Sequence, residues 1–175
     1  MHYLGRNGFD YHVTENAYLF DEPVRTAAWE RHVMRLLEAF DPSGVVPDGW
    51  AGCYANAAMK AAGALIASNN LSDGFARLDT AFVFYERWNA FADGALLPLG
   101  CGDAFGGAKI TKFGKQDNTF ICFPDGKKVW STYIWLFWQT KREPLAALTQ
   151  WRWFEAVKGD ERYQDALKRA KEMAG

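Results

Sequence analysis

Cysteine and histidine are scarce in this chain, and each scarcity removes a class of chemistry. Cys53, Cys101 and Cys122 are odd in number and widely spread, with no CxxC spacing, so neither a disulfide framework nor a zinc ribbon is expected. The histidines are His2, His12 and His32, without an HExxH or paired-histidine pattern, so no metal and no cofactor is expected. Long apolar runs are also missing. The longest, Tyr133 to Trp138, falls far short of the roughly 20 residues that a membrane span requires. The opening MHYLGRNGFDYHV has no apolar centre and reads as neither signal nor transit peptide, so a cytoplasmic protein without membrane attachment is expected. Charge of one sign is lacking too: 20 Lys+Arg stand against 21 Asp+Glu. The net charge of −1 supplies no basic footprint for direct nucleic-acid binding.

What is present is apolar and aromatic. Of 175 residues, 49% are hydrophobic and 16% aromatic, eight of them Trp, enough for one globular domain with a substantial core. Asp21 followed by Pro23 predicts a helix start, and Trp29, Val33, Leu36, Leu37 and Phe40 fall on one stripe at helical spacing before Asp41-Pro42-Ser43-Gly44 ends it. An Ala-rich helix is expected from about Trp50 to Ser68. Asn69-Asn70 breaks it, and a third helix from Ser72 to about Trp88 carries Phe75, Leu78, Phe82 and Tyr85. Asp93-Gly94 stops the helical half. Strands are then expected at Ala108–Phe113, Phe120–Phe123 and Lys127–Trp130, the last two joined through Pro124-Asp125-Gly126. Helix returns around Pro144 to Leu148 and from Asp160 to Met173, with Tyr163, Ala166, Leu167 and Ala170 as the buried stripe. The expected fold class is α+β, mostly helical, in one domain. Helical hairpins occupy residues 21–93, a small antiparallel β-sheet 106–138, and closing C-terminal helices 143–175.

Chemistry-bearing motifs are thin. Gly100, Gly102, Gly106 and Gly107 crowd together, but Phe105 stands where a dinucleotide fingerprint wants glycine. Lys109 comes one residue late for a P-loop, and a strand is expected to follow where a phosphate loop opens a helix, so the glycines read as turns. Cys53 and His32, on neighbouring helices, are the one candidate thiol–imidazole pair, against the alternative of an inert buried cysteine. Asp10, Glu15, Asp21 and Glu22 have no spacing that places two carboxylates on one face. The aromatic runs around Trp135 and Trp153 read as core between sheet and helices, with an exposed remainder as an alternative partner surface.

Helical-repeat register is the strongest signal. Aligned on the 34-residue tetratricopeptide repeat, Ala55 to Trp88 places Ala62, Gly74 and Ala81 at the close-packing positions and Leu78 at the large one. Ala58 and Leu65 stand where the repeat usually has Trp and Tyr. With LLEAFDP, GWAGCYANAAMKAAG, FARLDTAFVFYERWNAFADGALLPLG and the terminal WRWFEAVKGDERYQDALKRAKEMA, residues 30 to 175 resemble the C-terminal tetratricopeptide-like region of bacterial helix-turn-helix transcriptional regulators. No helix-turn-helix is visible in the chain itself. The resemblance implies a ligand- or protein-binding module that senses or oligomerises, not an enzyme. A small hydrolase or transferase using Cys53 or a carboxylate, and a structural oligomerisation module, stand as alternatives. In that register Asn56, Met59 and Lys60 face the repeat's groove. They suit a peptide, a protein or a small anionic ligand, with a homodimer as a further option and no nucleic acid bound directly.

Overall fold

A computed structural model describes residues 22–100, 106–112, 120–130 and 141–175. The described fold is mostly helical α+β. Helix α1 spans Pro23–Glu38, with Pro at its first position, where a missing N–H costs nothing. Asp21 lies outside the described residues. The flanking residue is instead Glu22, which makes no side-chain cap; its carbonyl accepts from the Thr26 N–H at 3.1 Å and the Thr26 hydroxyl at 3.3 Å.

The inward face of α1 is also rotated from the expected stripe. Thr26, Ala27, Glu30, Met34 and Leu37 are buried, Trp29, Val33 and Phe40 are half-buried, and Leu36 is 57% exposed. The surface that receives α1 is rich in alanine, so a close approach selects the small Ala27 and the slender, adaptable Met34 over the bulkier stripe.

Helix α2, Ala51–Ala67, is the centre of the molecule and is buried on nearly every side, as a helix apolar all round must be. It ends in a Schellman motif. Asn69 adopts φ 61°, its N–H donates to the Ile66 carbonyl at 2.9 Å, and the Asn70 N–H donates to the Leu65 carbonyl at 2.9 Å. Helix α3, Leu71–Ala90, then returns along α2 and buries Gly74, Phe75, Leu78, Ala81, Phe82, Tyr85 and Trp88. A Cβ on Gly74 would lie 2.6 Å from Ile66 Cγ1 and 3.3 Å from the Ala62 carbonyl oxygen, so the small residues stand where the two helices touch.

The sheet has the order β1–β2–β3–β4, all neighbours antiparallel: Leu96–Pro98, Lys109–Thr111, Phe120–Cys122 and Lys128–Trp130. Strand β1 lies ahead of the region expected to hold the sheet. It is short and contains proline, which an edge strand tolerates because its N–H side needs no partner. Between β3 and β4, Pro124-Asp125-Gly126 forms the expected turn. Gly126 has φ 84°, and the Phe123 N–H donates to the Lys127 carbonyl at 2.9 Å. Leu97 and Ile110 pack with Trp88, Leu99, Ala108 and Ala51 in a second core cluster beside that of the helices.

Helix α4, Glu143–Gln150, is followed by a 3₁₀ segment, Arg152–Val157, and helix α5, Glu161–Ala174. Asp160 caps α5 by accepting from the Arg162 N–H at 2.9 Å. Tyr163 and Ala170 are buried, and the Tyr163 hydroxyl donates to the Leu148 carbonyl at 2.9 Å, tying α5 to α4.

Candidate functional site

The groove expected along α2 is closed by the protein itself. Met59 is fully buried, Lys60 is 6% exposed and already engaged in an interaction, and Asn56 is half-buried. Met59 is therefore core and not a groove contact. The physical reason is that α2 is the central helix, enclosed by α1, α3 and the 3₁₀ segment. Trp153 is core as well: it is 4% exposed, and a Cβ on Gly63 would lie 2.7 Å from its ring. Its neighbour Trp151 meets it edge-on at 5.7 Å. Trp135 lies outside the described residues.

The thiol–imidazole pair fares similarly. His32 is exposed on α1, whereas burial pushes the Cys53 thiol up to about 12, so it stays protonated where a nucleophile must ionise. Glu22 is exposed, while Asp10, Glu15, Asp21, His2, His12 and Cys101 fall outside the described residues. Gly106 and Gly107, with φ 51° and 78°, make a turn that leads into β2. Gly100, with φ 138°, presses on the Phe40 carbonyl, where a Cβ could not fit. Among the described residues, no group of three or more His, Cys, Asp and Glu side chains could hold a metal ion.

Among the hollows of the described surface, two bear on the site. The first, about 260 Å³, lies between α3 and α5, where Arg162 covers the Phe75 ring at 4.0 Å and Arg169 covers Phe82 at 4.7 Å. Both guanidinium groups are committed: Arg162 to Asp160 at 2.7 Å, Arg169 to Glu86 at 2.8 Å. This arrangement staples α5 onto α3, with a cation over each ring and a carboxylate behind each cation.

The second hollow, about 380 Å³, lies where the helices meet the sheet. The connection between α1 and α2 lines one side through Asp41, Ser43, Val46 and Asp48; Arg87 of α3 and Pro98 of β1 line others. The connection is held rigidly. Asp41 Oδ1 accepts from the Ser43 N–H at 2.9 Å and from its hydroxyl at 2.6 Å. Trp50 Nε1 donates to the Leu99 carbonyl at 2.8 Å, and the Trp50 ring stands 5.0 Å from Phe40. A Cβ on Gly49 would lie 2.7 Å from the Pro98 carbonyl oxygen, so only glycine lets the connection pass that close to β1.

On this frame the Arg87 Nε–H donates to Asp48 Oδ1 at 2.8 Å, Nη2 donates to the same oxygen, and the guanidinium lies 5.6 Å over the Phe84 ring. The side chains of Arg87 and Asp48 are 33% and 30% exposed, so the pair is half-buried with one side open to the hollow. Neither residue stands out in the sequence. They are 39 positions apart in no motif, and only the folded chain brings them together. Set against known protein families, curated proteins and solved structures, the chain matches none of them.

Proposed function

We propose that this chain is a ligand-binding module working in the cytoplasm as the sensor region of a bacterial transcriptional regulator, with the hollow at the helix–sheet junction as its ligand seat. The observation that carries this reading is the half-buried Arg87–Asp48 pair on the wall of a cavity of about 380 Å³. Small-molecule sites are concave, mostly apolar and set with a few fixed polar groups, and they favour the boundary between structural units. A ligand seated there touches the α1–α2 connection, α3 and β1 at once, so occupancy couples the helices to the sheet. The protonated Cys53 thiol favours binding over thiol catalysis.

The test is thermal unfolding of the wild type and of Arg87→Ala across a library of small metabolites. A ligand at about 100 times its Kd stabilises by about 2.7 kcal/mol. For a chain of this size that raises Tm by roughly 5 to 10 °C. The expected result is at least one compound that raises Tm in the wild type and has no effect on the variant. A library in which every compound acts equally on both proteins, or on neither, overturns the assignment.

A further inference from the structure

We propose that the junction cavity recognises a free α-amino acid, reading the carboxylate with Arg87 and the ammonium with Asp48. This inference rests on the cavity being a ligand seat and adds the class of ligand. The argument begins with the pair on its wall, the Asp48 carboxylate against the Arg87 guanidinium. A simple anion placed against Arg87 meets Asp48 already bound there and is repelled by its carboxylate. A simple cation placed against Asp48 must compete with Arg87. A zwitterion does neither, since it lays a negative group beside the guanidinium and a positive group beside the carboxylate while their 2.8 Å contact stays intact. An α-amino acid carries both groups on one carbon, so its charges are as closely spaced as those of a direct ion pair.

The chemistry of the pair supports this division of labour. Arg87 uses Nε and Nη2 on the single oxygen Asp48 Oδ1, and a guanidinium has five N–H donors in a fixed fork, so donors remain for a second carboxylate. Among the described residues, Asp48 Oδ2 accepts no hydrogen bond, which leaves that oxygen for an ammonium. Half-burial of the pair lowers the local dielectric enough to strengthen such contacts without burying the charges fully. Val46 and Pro98 offer apolar wall to the ligand's side chain.

The experiment follows backbone amide resonances of the whole chain while each of the twenty amino acids is titrated in, with the N-acetyl and carboxamide derivatives of any that bind. The expected result is saturable shifts at Val46, Asp48 and Gly100 for at least one amino acid. Either derivative should bind at least tenfold more weakly than its parent. Asp48→Asn is expected to remove the penalty of N-acetylation, but the comparison of ligands on the wild type stands even if that variant unfolds. Derivatives that bind as well as their parents overturn the zwitterion assignment while leaving the cavity a ligand site. So does a library metabolite that shifts these resonances when no amino acid does. If neither the amino acids nor the library shift them, both proposals fall.

Discussion

Gly74→Ala isolates the contact that sets the spacing of α2 and α3. Two effects oppose each other. Alanine is the better helix former by up to about 1 kcal/mol. Against that, the new Cβ would stand 2.6 Å from Ile66 Cγ1, 3.2 Å from the Ile66 nitrogen and 3.3 Å from the Ala62 carbonyl oxygen. Carbon atoms rest at about 3.5 to 4.0 Å, and two of these three neighbours are backbone, which cannot rotate away. Forcing extra volume into such a contact costs about 1 to 3 kcal/mol, so net of the helix gain the variant should lose about 1 kcal/mol, a fall in Tm of roughly 2 to 4 °C. Gly159→Ala is the matched control. A Cβ there meets nothing within 4 Å and the backbone is not left-handed, so stability should rise by about 0.4 to 1 kcal/mol. Both are read from thermal melts by circular dichroism. In an Ile66→Ala background the Gly74→Ala penalty should shrink, because the nearest atom is gone. A Gly74→Ala protein that melts at or above the wild-type temperature would refute the close-contact argument.

Met59→Ala and Trp153→Ala should cost about 2 to 5 and 3 to 5 kcal/mol in urea unfolding, since both side chains are enclosed. Lys60→Glu should lower stability by about 1 to 3 kcal/mol, because position 60 is 6% exposed; an unchanged urea midpoint would show that the lysine is solvated. Cys53 should be modified by thiol reagents far more slowly in the folded protein than in urea, its thiol being pushed up from 9.0 to about 12 by burial. The folded state then holds the Cys53 proton that the unfolded chain releases. Stability is complete below about pH 9 and declines as pH rises toward 12, by up to about 1.4 kcal/mol per pH unit from this thiol. Tyr85, raised by burial, and Tyr54, raised by burial and its bond to Glu38, act in the same direction. A Cys53→Ala protein should show a shallower alkaline decline in urea titrations, and an identical slope would contradict the assignment. At the acid end, Arg162 holds the Asp160 carboxyl below its ordinary range, chiefly through their side-chain hydrogen bond. The α5 cap should therefore survive above pH 4 and fail as pH falls further, seen as faster amide exchange in the first turn of α5.

Helix identity and the small-residue contact were legible because they are local. The Ala-rich run, the Asn69-Asn70 break, the Phe75–Leu78–Phe82–Tyr85 stripe and the Pro124-Asp125-Gly126 turn each depend on a few consecutive side chains, and the structure places them at or within a few residues of the expected positions. The rotation of α1 was not legible. Which of two overlapping stripes faces inward depends on the shape of the surface that receives it, and Ala27 and Met34 won over Leu36 for that reason. Strand β1 was missed because three residues carry no periodicity, and Pro98 argues against a strand except at an edge.

The sequence by itself determined the class of fold, the order of its main helices and several of the turns between elements, since propensity and periodicity act over a few residues. Burial of Met59 and Lys60 was decided by tertiary structure: a helix set among three neighbours has no outward side, whatever its register suggests. The Arg87–Asp48 pair belongs to the same category. Two charges 39 residues apart become a pair only in the folded chain, where the connection before α2 meets α3, a proximity that no local pattern encodes.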